Sequence, residues 1–151
     1  MRLYEGYSET MFNQHRLKQV SRNLATTLPG LMKQTGATAI AVRGKSGIAL
    51  AFAMSAVSNT NIPIVVCRKP AERSHGSNFE GPDLDSDGLK YLILDDFVSS
   101  GKTVKAVERA MRNIGAECVG IAVYVSDRGS DGPITLNRKD VPIFVVRTRR
   151  S

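Results

Sequence analysis

The sequence predicts an α/β fold, a three-layer arrangement in which a mostly parallel sheet is flanked by helices. Two observations carry that expectation. Short apolar runs at 37–42, 62–67, 91–94, 119–125 and 141–146 have strand length and are bounded by glycine, proline or charged residues. Segments before and between them repeat apolar residues at spacings of three and four, so helix and strand alternate, as they do when helices connect parallel strands.

Leu17, Val20, Leu24 and Leu28 mark one face of an amphipathic helix, and Pro29-Gly30 is expected to end it. ATAIAV at 37–42 reads as a strand between Gly36 and Gly44. IALAFAMSAV at 48–57 is longer and rich in helix formers, giving a strand, a glycine turn and a buried helix. IPIVVC at 62–67 is the next strand, with Pro63 at its start or on an edge because proline cannot donate to a ladder. From 68 to 90 there is no periodicity, and a connection this long in a small domain is functional or mobile. YLIL at 91–94 is a strand, Val104, Val107, Met111 and Ile114 mark a helix face ending at Gly115, and 119–125 and 141–146 complete the strands.

A chain of 151 residues can bury a core for one domain and not comfortably for two, so 1–151 reads as a single domain. No segment approaches the roughly 20 apolar residues that cross a bilayer. The start, MRLYEGYSETMFNQHR, lacks the apolar core of a secretory signal, so a cytoplasmic protein without a membrane partner is expected. Cys67 and Cys118 sit in apolar runs without metal-ligand spacing and read as buried, reduced thiols. The net charge of +7 favours polyanionic partners, but a phosphorylated small molecule satisfies that field as well as a nucleic acid does. Arg147, Arg149 and Arg150 read as a solvated terminus.

Open α/β sheets bind ligands beyond the carboxyl ends of their strands, where loops and helix N-termini converge. Here those ends read Arg43-Gly44-Lys45-Ser46-Gly47, Arg68-Lys69, Asp95-Asp96 and Asp127-Arg128, and every one is charged. The third is the most informative. From Leu92 the chain passes through Asp95 and Asp96 into Ser99, Ser100, Gly101, Lys102 and Thr103 and then a helix. Free amides at the helix start, the hydroxyls of Ser100 and Thr103, and close backbone approach at Gly101 make a phosphate cradle. Adjacent carboxylates would repel a phosphate, so they suit sugar hydroxyls, with a metal ion screening the nearby charge. Gly101-Lys102-Thr103 imitates the end of a P-loop, but Asp96 stands where that pattern needs glycine. Asp83, Asp85, Asp87 and Gly88 imitate an EF-hand loop, but Leu94 stands where the bidentate glutamate belongs, so a solvated turn is expected.

The stretch 92–103 resembles the signature by which type I phosphoribosyltransferases bind 5-phosphoribosyl-1-pyrophosphate (PRPP). That resemblance implies a Rossmann-like sheet and Mg²⁺ carried with PRPP. It assigns Asp95 and Asp96 to the ribose hydroxyls, with a metal contact open to them, and Ser99, Ser100, Gly101, Lys102 and Thr103 to the 5′-phosphate. Arg43, Gly44, Lys45, Ser46 and Gly47 are similar to the family's pyrophosphate loop. Arg68 to Gly76 resembles the mobile catalytic loop of the orotate enzymes, with the loop extending over about 68–90. In that likeness Arg68 joins the pyrophosphate contacts and Lys69, Arg73 and His75 act in catalysis. Arg73 and His75 stand one residue off the family's spacing.

The segment 119–129 is similar to the orotate enzymes' strand followed by Asp-Arg, which assigns Arg128 to the base. Ser99 stands where the hypoxanthine-guanine enzymes carry an acid, which favours a pyrimidine. Only 42 residues precede Arg43, so the hood over the base is expected to be abbreviated. The resemblance therefore implies a Mg-dependent pentosyltransferase of nucleotide metabolism, a homodimer, that moves phosphoribosyl from PRPP to a nitrogenous, orotate-like base. A larger acceptor also fits a short hood. The alternative is a PRPP-sensing regulator of the same fold that binds nucleic acid. Retention of Arg43-Gly44 and Arg68-Lys69 favours catalysis, because a sensor needs less leaving-group apparatus.

Overall fold

The computed structural model describes residues 13–72, 77–98, 100–126 and 132–146. Helix α1 spans Gln14–Thr35, and the Asn13 side chain accepts from the Arg16 amide at 3.1 Å to cap it. Val20, Leu24, Leu28 and Met32 form its buried face. The expected stop at Pro29-Gly30 does not occur. Pro29 lies inside the helix, which continues one more turn because Met32 extends the buried row and closes at Gly36. Gly36 adopts φ 78°, and its amide donates to the Met32 carbonyl at 2.8 Å.

The chain continues as β1 (Ala39–Val42), α2 (Gly44–Val57), β2 (Ile64–Cys67), a 3-10 turn (Pro70–Glu72), β3 (Phe79–Glu80) and β4 (Lys90–Val98). It ends with α3 (Lys102–Arg112), β5 (Glu117–Ser126), β6 (Ile134–Leu136), β7 (Lys139–Val141) and β8 (Ile143–Val145). The main sheet has the order β3-β2-β1-β4-β5-β8. All its pairs are parallel except β2 with β3. The fold is therefore the mostly parallel, helix-flanked sheet that the sequence predicts.

Alternate residues of the central strands enter two cores. Ile40, Val42, Leu92 and Leu94 pack with Leu24, Leu28, Leu50 and Met54 of α1 and α2. Ala39, Ala41, Tyr91 and Ile93 pack on the other side with Val104, Val107 and Met111 of α3 and with Ile134 and Leu136. Burial on both faces is why these strands read as continuous apolar runs rather than alternating ones.

Three details depart from expectation. The segment 68–90 contains β3, whose two residues are too few to show a period. The run 141–146 is not one strand, because Pro142 divides Val141 in β7 from β8. β6 and β7 form a hairpin of their own across Asn137 and Arg138, at φ 47° and 64°, the twisted two-residue turn that matches strand twist. The aspartate segment is solvated, and it is tied to the end of α3. Ser86 Oγ donates to the Ile114 carbonyl at 2.7 Å and the Gly88 amide to the Gly115 carbonyl at 3.0 Å. Among the described residues no helix is long and apolar enough to cross a membrane.

Candidate active site

The carboxyl ends of β1, β2 and β4 open on a cleft of about 440 Å³. From β1 and the start of α2 come Arg43, Gly44, Lys45 and Ser46, from the end of β2 comes Lys69, and from β4 come Asp95, Asp96 and Val98. Ser100, Gly101, Lys102, Thr103 and Val104 close the remaining side. The structure thus gathers three of the four charged strand ends into one place.

Gly44, Lys45, Ser46 and Gly47 are the first turn of α2 rather than a loop before a helix beginning at Ile48. Gly44, at φ 79°, turns the chain from extended strand into helix, a conformation that costs other residues about 1 kcal/mol or more. A side-chain carbon added to Gly44 would stand 3.7 Å from Lys69 Nζ, so this turn and the lysine are neighbours. Gly47 presses closer still. A Cβ there would lie 3.0 Å from the Leu94 carbonyl oxygen and 3.9 Å from Asp95 Oδ1, so glycine lets α2 begin against the end of β4.

Both helices that point into the cleft start without a side-chain cap and without an acid in the first turn. Their free amides and the positive ends of their dipoles therefore face the same space as Arg43, Lys45, Lys69 and Lys102. Gly101, at φ 78°, is the residue from which α3 begins, and the Ser100 hydroxyl accepts from the Lys102 amide at 3.4 Å. Such a pair of helix ends is a receptacle for two anionic groups.

The acids lie inside β4, which continues through them to Val98 instead of ending at Leu94, because β5 pairs alongside as far as Ser126. Asp95 and Asp96 are 8% and 9% exposed, which matters because ionised carboxylates are rarely buried so deeply without partners. The Asp96 amide donates to Asp95 Oδ1 at 2.9 Å. Asp96 Oδ2 is buried with no hydrogen-bond partner among the described residues. Burial first, and then the neighbouring Asp96 carboxylate, push the Asp95 carboxyl up to about 8, although Lys69 opposes the shift. A carboxylate oxygen without a donor at a cleft wall fits a ligand hydroxyl or a cation. No group of three or more metal-ligating side chains occurs among the described residues, so a cation here would be held largely by the ligand it accompanies.

Arg68 does not line the cleft. Its guanidinium donates to the Ser77 carbonyl at 3.1 Å and pairs with Glu80, bracing β3 against β2. Arg73, His75, Ser99 and Arg128 lie outside the described residues. Val98 and Val104 join the cleft without having been expected there, and they give its floor an apolar strip. Their signal was available in the sequence, since both flank the turn, but apolar residues beside a strand end read first as core. Cys67 and Cys118 are free, and burial pushes both thiols up to about 12, so they stay protonated at neutral pH.

A family model described as "Phosphoribosyl transferase domain" matches residues 15–149. An orotate phosphoribosyltransferase from Levilactobacillus brevis is 26% identical over 131 residues, covering 86% of this chain and 61% of that protein. The chain spans about half to three-fifths of the length of the curated orotate phosphoribosyltransferases it matches. Among solved structures, a phosphoribosyltransferase from Corynebacterium diphtheriae superposes with a TM-score of 0.73 at 20% identity, over 95% of this chain and 81% of that one. The Mycobacterium tuberculosis orotate phosphoribosyltransferase in complex with PRPP gives 0.62 at 18% identity, over 82% of this chain and 67% of that one. At these identities the structures establish the fold.

Proposed function

The chain belongs to the phosphoribosyl transferase domain family, and from that premise we propose that it transfers the 5-phosphoribosyl group of PRPP to a nitrogenous base, orotate-like, releasing pyrophosphate. The observation that carries the proposal is the cleft itself: two uncapped helix N-termini on either side of a buried pair of acids. PRPP has that layout, with anionic groups at both ends of a sugar whose hydroxyls lie between them.

Asp95 and Asp96 accept hydrogen bonds from the ribose 2′ and 3′ hydroxyls, which supplies the donor that Asp96 Oδ2 lacks. The turn Ser99, Ser100, Gly101, Lys102 and Thr103 holds the 5′-phosphate on the amides at the start of α3. Arg43, Gly44, Lys45, Ser46 and Gly47, with Lys69, meet the pyrophosphate. As the anomeric C–O bond breaks, its electron pair leaves with pyrophosphate and charge builds on the leaving oxygens. Cations and amides already aimed there stabilise that state more than the ground state. A ring nitrogen of the base forms the new C–N bond from the opposite face, inverting the anomeric carbon, and its N–H proton passes to the departing pyrophosphate or to water. Mg²⁺ bound with PRPP supplies neutralisation of the diphosphate.

The remaining assignments belong to the same proposal. Arg73 and His75 act from the loop at about 68–90, which excludes water when it closes, and Arg128 meets the base. The unit is one domain over 1–151, cytoplasmic and homodimeric. Exposed Phe52 and Val57 on α2, a helix with no charged residue after Lys45, support the dimer as an apolar face that a second copy would cover. The test mixes the protein, PRPP and Mg²⁺ with orotate, uracil, adenine, hypoxanthine and guanine in turn and measures pyrophosphate. Release with orotate is expected. Release with none of the bases overturns the transferase reading.

A further inference from the structure

The outward face of α1 lies on no part of the cleft wall, yet its charge is the most one-sided in the chain. Within Gln14–Thr35, α1 carries Arg16, Lys18, Arg22 and Lys33 and no acidic residue. At about 100° per residue, His15, Arg22 and Lys33 fall within roughly 20° of one another around the helix and Lys18 within about 60°. Leu24 stands opposite, buried in the core. The cations therefore occupy the solvent pole, in a row about 27 Å long at 1.5 Å per residue.

The start of the row is placed against the helix's own electrostatics, while Lys33 stands in the last turn, where the dipole favours a cation. The first turn of α1 contains no acid, and His15 and Arg16 stand there instead, at the positive end of the dipole. Lys18 and Arg22, four apart, repel each other where an acid four residues away would stabilise the helix. α3 likewise opens on Lys102 without an acid, but its start faces the cleft, and in its last turn Arg112 pairs with Glu108 at 3.1 Å. A surface that breaks these local rules is a candidate interaction site.

We propose that the outer face of α1, centred on Lys18, Arg22 and Lys33, is a docking ridge for the phosphodiester backbone of a nucleic acid. A straight row of cations at the pole of a helix matches a linear polyanion. Of the residues between them at that pole, Gln19, Thr26, Pro29 and Gly30, the first two are polar and suited to hydrogen bonding along a backbone. An anionic membrane is disfavoured by the same surface, because the exposed large apolar residues Phe52, Val57 and Leu84 all lie off α1 and the half-buried Pro29 offers no large side chain to insert. The inference does not depend on the transferase reading, since it uses no residue of the cleft.

The test measures binding of a fluorescent single-stranded RNA of about 20 nucleotides by anisotropy, from roughly 50 to 200 mM KCl. Three phosphate contacts predict a slope of log affinity against log salt near −2, at about 0.7 per contact for a single strand. The variant Lys18→Gln/Arg22→Gln/Lys33→Gln should flatten that slope and weaken binding about tenfold or more. The variant Lys90→Gln/Lys105→Gln/Arg109→Gln, which removes equal charge elsewhere, should bind nearly as the parent does. Undetectable RNA binding overturns the proposal, and so does equal weakening in both variants. Equally tight binding of polyglutamate, or of vesicles of anionic phospholipid, through the same three residues overturns the identity of the partner. The ridge variant should keep its PRPP-induced thermal shift, and loss of that shift would overturn the separation of ridge from cleft.

Discussion

Replacing Asp95 by Asn separates what the acid pair costs the fold from what it does for a ligand. In the free protein Asp95 is raised from 3.8 to about 8, chiefly because burial penalises its charge. Between those values the folded state holds a proton that the unfolded state has released, so stability falls as pH rises across that window and is fully retained only below it. One proton corresponds to a slope of about 1.4 kcal/mol per pH unit. Asp95 is 8% exposed, so solvent screens little of this. From pH 5 to 7 the parent should therefore lose up to about 3 kcal/mol relative to Asp95→Asn, or roughly 8 °C in Tm for a chain of this size.

Thermal and urea unfolding by circular dichroism at fixed ionic strength would measure the difference at each pH. The variant should gain stability over the parent as pH rises while losing the thermal shift given by PRPP and Mg²⁺, because an amide offers a ribose hydroxyl one acceptor oxygen and no charge. In the parent the PRPP-induced shift should grow with pH, since the ribose needs the ionised carboxylate. A parent-minus-variant difference that stays flat from pH 5 to 8 would refute the claim that Asp95 holds a proton. An undiminished PRPP shift in the variant would refute its place in the ribose site.

Three further substitutions test the geometry around that site and the fold that holds it. Gly47→Ala adds helix propensity, about 1 kcal/mol in an open helix, but its Cβ would meet the Leu94 carbonyl at 3.0 Å. Denaturation should show a net loss of about 1 to 3 kcal/mol, with a smaller PRPP shift, and a stabilised variant would contradict the close approach of α2 to β4. Pro29→Ala restores the hydrogen bond to the Ala25 carbonyl that proline denies α1, and should stabilise by about 1 to 3 kcal/mol in the same assay. Arg138→Gly relieves a non-glycine residue at φ 64° in the β6–β7 turn and should stabilise by about 1 kcal/mol. A destabilised Arg138→Gly would mean that the arginine makes contacts worth more than its backbone strain.

The parts of the fold legible in the sequence were those in which one physical effect dominated. β1, β4 and β5 are buried on both faces, so their apolar runs announced them, and the glycines beside them marked the helix starts. Elements governed by competition were read less well. Pro29 argued for a stop, but burial of Met32 outweighs one lost hydrogen bond, and α1 runs on to Gly36. Pro142 lies between two short strands that read as one, and the hairpin turn is built on Asn137-Arg138 without the glycine that usually signals such a turn. β3 is held by its pairing with β2 and by the Arg68–Glu80 ion pair, a contact no local pattern encodes.

The cleft follows the same division. Its anion-attracting parts are backbone amides at helix starts, and a sequence shows these through glycine and the absence of capping acids. Arg68 illustrates the limit of that method. Its position beside Lys69 at a strand end suggested a shared task, yet a long side chain can serve whichever acceptor lies nearest, and Ser77 and Glu80 lie nearest. The two acids are the reverse case: their types were plain, but their burial was not, because it depends on β4 continuing past Leu94 beside β5. That continuation turns two ordinary aspartates into a pair whose ionisation is expensive until a ligand hydroxyl or cation arrives. The strand extension, more than the spelling of the turn, therefore makes this end of the sheet a site that holds a proton when empty and ionises when a ligand hydroxyl or cation binds.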